Sequence, residues 1–313
     1  FGNGPTLDSR QSGVRFSGGF LLDPQSCLDL EASHFRVDES NGDFSTDSTR
    51  FDVLARPFDN VETSSEAENA IVVAFPNLLD GNVDVRSTSS LEGTEVLLSR
   101  PTISNGFSHW KLLVGWKNVR LEESLTISDF REVTATGTGL AVGTTLASTD
   151  AFTTRSAFNG AVFGLAGEQR CGRLTWEGAF KLAVGGSASR ASVSGSSTTR
   201  TPDGGGGFTE SDSDNGLLAQ ASNSGVYKRD DAALAPELRV GLTWQMTRRL
   251  RATAGYSLLY VSRVARANEI VDRQVNLSQI PPSALNGPAA PAFSWDVGGL
   301  LAQGFNVGLE ARF

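Results

Sequence analysis

The chain carries two histidines, two cysteines and one methionine among 313 residues, so nucleophilic and metal chemistry has few places to be built. An acyl-transfer site needs a serine, a histidine to take its proton and a polar group to orient the ring. Ser108 precedes His109, but neighbouring residues of a strand point to opposite faces, so this pair cannot act together. His34 and His109 read as interface residues. We therefore expect no enzyme, and assign no catalytic residue, no cofactor and no metal. Cys27 and Cys171 stand beside short turns between strand-like segments. A disulfide is open to them in an oxidising compartment, with two separate thiols as the alternative. Asp203, Glu210, Asp212 and Asp214 lie in the stretch TPDGGGGFTESDSDNG, residues 201–216. Without EF-hand or nonapeptide-repeat spacing they read as a solvated, mobile Gly-rich loop.

The more informative groups are charges set inside strand-like alternation. Arg15, Asp29, Glu31, Lys111, Lys117, Glu177, Lys181, Arg239, Arg251, Arg263, Glu310 and Arg312 fall on the face opposite apolar neighbours. In a membrane strand a charge turned to lipid at mid-depth costs about 2–4 kcal/mol, so these twelve are expected to line an interior. There they would tune the passage of solutes through water, or pair across a narrow lumen and fill it. The net charge of −8 argues against nucleic acid as a partner.

The elements that must position these charges are strands. Phe305, Val307, Leu309, Ala311 and Phe313 share one face, and Asn306, Gly308, Glu310 and Arg312 the other. The same period of two runs through Trp110–Lys117, Leu174–Leu182, Leu238–Gln245 and Val14–Asp23. There is no run of the ~18 apolar residues that a membrane-crossing helix needs. Aromatic residues gather near strand ends, and connections alternate between short (23–26, 167–172, 247–250) and long (39–88, 187–216, 266–297). Both are features of outer-membrane barrels, whose periplasmic turns are short and whose outer loops are long.

We expect one domain over 1–313, an all-β, antiparallel transmembrane β-barrel. About nine wall strands are legible, near 13–23, 27–37, 89–99, 108–120, 152–166, 173–186, 234–246, 251–264 and 300–313. Segments Phe51–Ala55 and Ala70–Phe75 are short strand-like runs that form either an extramembrane hairpin or two more wall strands. Residues 281–291, rich in Pro and Ala, read as an irregular loop. With the last strand ending on the periplasmic side, 13–23 runs downwards. An even strand number then calls for an earlier strand, absent from this chain, and about 10–12 in the complete protein.

The pieces RFSGGFLLD (Arg15–Asp23), LDLE (Leu28–Glu31), LARPF (Leu54–Phe58), SSLEGTE (Ser89–Glu95) and LVGW (Leu113–Trp116) follow one another in order. So do LEESL (Leu121–Leu125), DAFTT (Asp150–Thr154), PELR (Pro236–Arg239), YSLLY (Tyr256–Tyr260), PAF (Pro291–Phe293), AQG (Ala302–Gly304) and GLEARF (Gly308–Phe313). Together they resemble the putative beta barrel porin-7 family of outer-membrane proteins, over nearly the whole chain. The resemblance implies a barrel in the outer membrane and carries no substrate or catalytic residue. Gly308 and Phe313, with Ala311 a weaker match, also resemble the terminal signal read by the barrel-assembly machinery.

The expected location is thus a bacterial outer membrane, reached through a signal peptide since removed. The expected partners are its lipid and lipopolysaccharide, the assembly machinery during biogenesis, and envelope proteins of unknown identity. Three functions are open: porin-like passage of small polar solutes through a narrow polar lumen, a structural or scaffolding barrel that anchors surface loops or joins a larger envelope assembly, and, lower, an outer-membrane hydrolase. A lumen blocked by side chains would favour scaffolding, and a Ser–His hydrogen bond at the rim would revive the hydrolase.

Overall fold

The computed structural model describes residues 11–23, 27–62, 67–247, 250–279 and 285–311. Among these residues nine long strands form the wall: β1 (Gly13–Asp23), β2 (Leu28–Asp47), β5 (Leu79–Ser104), β6 (Ser108–Val133), β7 (Thr145–Cys171), β8 (Leu174–Pro202), β10 (Gly225–Gln245), β11 (Leu250–Ala265) and β13 (Val297–Ala311). They pair antiparallel in that order, and β9 (Phe208–Ser213) folds back on the end of β8. Between β2 and β5 the chain makes a hairpin, β3 (Leu54–Asn60) and β4 (Ala67–Ala74), joined by β12 (Gln274–Val275) into a separate three-stranded sheet. Of the two placements left open for this region, it takes the hairpin.

Side-chain contacts show that the wall is rolled. Strands lie about 4.8 Å apart, so β5 and β10, four places apart in the order, would be roughly 19 Å apart in a flat sheet. Yet Arg239 on β10 lies 4.0 Å from Glu95 on β5. Arg15 on β1 lies 3.9 Å from Glu237 on β10, six places away. Only a sheet curled around an interior brings such residues together.

The wall strands are longer than their apolar alternation suggests. The stretches 39–47, 79–88 and 187–202, expected to lie in long connections, continue β2, β5 and β8. The reason is visible in the residues. On the short-turn side the outward face is apolar: Leu112, Val114 and Trp116 on β6, Phe163 and Leu165 on β7, Trp176, Phe180 and Val184 on β8, and Leu238, Val240 and Trp244 on β10 are exposed. On β13, Phe305 and Val307 are both 87% exposed. About ten residues of a strand tilted by roughly 40° rise some 25 Å, the height of an outer-membrane apolar band, and Trp176 to Gly186 spans it. Beyond that height the outward residues of β8 become Ala188, Arg190, Ser192 and Ser194, while Ala191 and Val193 are buried inside. The period of two persists, but its apolar face changes sides.

Two apolar clusters fill the interior. One holds Leu91, Leu97, Leu113, Val119, Leu121, Phe158, Val162, Leu259 and Val261 from the wall. The other, in the far half, packs wall residues Val83, Val85, Ile127, Phe152 and Val193 against Phe58 and Val73 of the hairpin and Leu217, Leu218, Ile270 and Val275 of the connections. Tyr227 stacks on Phe293 at 3.5 Å between centroids, and Trp295 meets Phe293 edge-on.

Candidate functional site

The interior can be followed from the short-turn end. A cavity of about 780 Å³ opens there, and its lining includes Asp29, Lys111, Glu168, Glu177, Arg239 and Arg251. Among the described residues three acids face three bases, so this lining is polar and nearly balanced in charge.

Above it stands a ring of buried charge. Lys117 (β6) reaches Glu95 at 3.0 Å and also Glu237, and Lys181 (β8) reaches Glu95 at 2.5 Å and Glu237 at 3.1 Å. All four side chains are at most 5% exposed. Arg239 donates to Glu237 at 2.5 Å from the vestibule side. The four buried residues come from four different strands, and alternation turns each to the same side as Leu97, Leu113, Ala183 and Ala235, which are also buried. Gly164 clears the path for Lys181, because a Cβ there would stand 2.8 Å from the Lys181 Cγ. Burying four charges is tolerable only because they alternate in sign and hydrogen-bond one another.

Next comes the apolar layer of Val119, Leu121, Phe158 and Val261, all buried. Beyond it three polar anchors tie the connections and the end of β11 to the facing wall. Arg266 Nε donates to both oxygens of Glu123 (2.8 and 2.9 Å), and the Ala267 N–H adds a third bond. The Ala265 N–H donates to Ser156 Oγ at 3.0 Å. Arg56 of the hairpin enters between Asp129 and Asp150, donating to Asp129 at 2.6 Å and bonding Asp150 as well. Asp150 Oδ1 accepts from the N–H groups of Leu218 and Ala219. Burial works against the charge of Arg56, but Asp150 and Asp129 more than offset it and hold the guanidinium above its ordinary pKa.

Of the twelve expected lining residues, Arg15, Lys117, Lys181 and Arg239 meet at the charge ring. Asp29, Lys111, Glu177 and Arg251 line the vestibule. Asp29 also accepts from Ser99 at 3.4 Å. Glu31 is half-buried on the inward face of β2. Arg263 is a correction. It is the extra residue of a bulge, at φ 57° and exposed, while Val264 takes the buried position. An inserted residue shifts the register by one, which counting by twos does not foresee. Arg312 and Phe313 lie outside the described residues, and only the backbone is described for Glu310 and Ala311, which end β13 with Gly308. Residues 280–284, at the start of the Pro/Ala-rich loop, also lie outside them.

Sequence reading missed Glu95, Glu237, Glu123, Asp129, Asp150 and Arg56. Glu95 and Glu237 carried the same signal as the others, since each alternates with outward Val96 or Leu238. Arg56 carried none, because nothing local says that the hairpin enters the interior.

The histidines are separate from the charge ring. His34 Nδ1 lies 2.9 Å from Thr94 Oγ1 on the outward face. Ser108 donates to Gln169, and His109 is paired instead with Ser104 Oγ at 2.9 Å, on the vestibule rim. Among the described residues no carboxylate bonds this imidazole, so a Ser–His pair is present without the group that would orient it. Cys27 and Cys171 are both free and exposed. Asp203, Glu210 and Asp212 each bind a different partner: the Gly205 and Gly207 N–H groups, Arg200 and Thr198.

Residues 1–313 match the model of the family described as Putative beta barrel porin-7, and the chain belongs to that family. No curated protein matches it.

Proposed function

From this membership of a beta-barrel porin family, we propose that the chain is an outer-membrane barrel whose lumen is closed at mid-height, and that it serves as a structural anchor for the ordered assembly at its long-loop end. The supporting observation is the buried set Lys117, Lys181, Glu95 and Glu237, roofed by Leu121, Phe158 and Val261. A water-filled pore needs a continuous polar path, and this interior interrupts it twice, with paired charge and then with hydrocarbon. A wall of this strand number stands at the size where side chains can fill the bore. The outward apolar band of the short-turn half supports an outer-membrane location, with lipid, lipopolysaccharide and the assembly machinery as the partners it would meet.

The second reading, porin-like passage of small polar solutes, draws on the family's name and on the polar vestibule. Conductance in a planar bilayer separates the two. The closed-lumen reading expects silence from well-folded protein, while steady channels would replace it with the porin reading. The Ser104–His109 pair gives a hydrolase no orienting acid among the described residues. Ester turnover by wild type, lost in His109→Ala, would reverse that judgement.

A further inference from the structure

We propose that a cationic patch on the outer wall, Arg155, Arg190 and Lys228, holds a phosphorylated lipopolysaccharide headgroup in the outer leaflet. The inference rests on the membrane placement given under Proposed function.

The three residues are directly opposite one another on adjacent strands. Arg155 on β7 pairs with Arg190 on β8, which pairs with Lys228 on β10. All three are exposed. Like charges directly opposite on one face are destabilising, so the row costs the free chain stability unless an anion shares it. The wall itself supplies little. Glu122 sits beside Arg155 at 3.1 Å and occupies its β6 side. Asp230 is the one acid on the outward face of β10 next to the row. Among the described residues Arg190 and Lys228 have no ion-pair partner.

The surroundings suit a headgroup. Below the row stand Ala157 and Ala188, and above it Thr153, Ser192 and Val226, small residues that leave a shallow floor. The height also fits. Measured from Trp176, Arg190 lies fourteen residues along β8, a rise of roughly 35 Å at a 40° tilt. That is about 5–10 Å past the edge of a hydrocarbon core of about 25–30 Å, at the level of the headgroups. Guanidinium groups match phosphate by paired N–H donors. The long-loop end of such a barrel faces the leaflet in which the lipid carries phosphates on its headgroup.

The test is binding of the full chain, in a zwitterionic detergent, to lipopolysaccharide, to dephosphorylated lipopolysaccharide and to inorganic phosphate. The expected result is saturable binding of the phosphorylated lipid that weakens with salt. Arg190→Ser should weaken it about fivefold and the triple variant R155S/R190S/K228S about a hundredfold. Equal affinity for the dephosphorylated lipid, undiminished binding by the triple variant, or no binding by wild type would each overturn the proposal. So would inorganic phosphate competing at micromolar concentration with the same residue dependence, which would mark a free-anion site. Heat-modifiable gel migration verifies that each variant is folded. Should the triple variant fail that control, Arg190→Ser and Lys228→Ser decide. Flotation with liposomes keeps the two readings apart: a chain that does not float sinks the membrane placement, whereas one that floats without preferring the phosphorylated lipid sinks only this inference.

Discussion

The short-turn half and the long-loop half of this wall are built from the same strands with opposite polarity. In the short-turn half, Val240, Trp176 and Phe305 look outward and are exposed, while Lys117, Lys181, Glu95 and Glu237 are buried within. In the long-loop half, Arg190 and Ser194 look outward, while Val193, Phe152 and Ile127 join Phe58 and Leu218 in an apolar core. On the membrane placement proposed above, one sheet obeys two solvents. Where lipid surrounds the wall, charge is driven inside and must be neutralised in pairs. Where water surrounds it, the apolar residues go inside and need a filling, which the hairpin and connections provide.

The largest effect expected is at the charge ring. Lys117→Met leaves Glu237 and Glu95 with one cation fewer in a buried place, at a cost of about 3–5 kcal/mol. The double change K117M/E237M should recover most of that loss in urea unfolding from lipid vesicles. If the single change is mild, the ring is wetter than its burial implies. Of similar size but different reach, Arg56→Met leaves buried Asp129 with Arg131 as its remaining cation and Asp150 with the Leu218 and Ala219 N–H groups. Its cost of about 3–5 kcal/mol should appear as proteolysis and fast hydrogen exchange within 54–74, with the lipid-level strands still protected. Loss of protection in both halves together would erase the distinction between them.

A smaller contrast is made by placing one arginine at two heights. Val240→Arg should cost about 2–4 kcal/mol at lipid depth, whereas Ser194→Arg on the long-loop half should stay within about 0.5 kcal/mol. Equal costs would mean that both sites meet the same solvent.

The smallest effect is one of pH. Burial raises the Glu269 carboxyl above its ordinary pKa, Asp296 and Glu123 add to the rise, and Arg266 opposes it. A carboxyl with a raised folded-state pKa favours the fold when protonated. Its contribution is therefore complete below the unfolded value and fades as pH rises through the folded one. Exchange at 266–273, corrected for intrinsic rates, should slow between pH 7 and pH 4.5, and Glu269→Gln should flatten that dependence.

How much could be read in advance follows the same division. Alternation such as Trp110–Lys117 or Leu238–Gln245 marks a strand because large apolar residues return there at every second place. In SASRASVSGSSTTR, residues 187–200 of β8, water accepts Ser, Thr and Ala outward, and the inward residues are small, so the contrast that reveals a strand fades. At the site, Lys117 and Lys181 stood out as cations in apolar surroundings, whereas Glu95 and Glu237 were legible by the same rule and passed over. Arg263 was lost to a bulge, and the union of Arg56 with Asp129 and Asp150 joins residues 73 and 94 apart in sequence, which no local pattern encodes.

The reversal of polarity along the wall is tested most directly by depth-dependent quenching. With Cys27 and Cys171 replaced by Ser, a single cysteine at position 240 or at position 194 carries a fluorophore in vesicles containing brominated lipid. Strong quenching at 240 with little at 194 is the result this account predicts. Comparable quenching at both positions, or stronger quenching at 194, would contradict it.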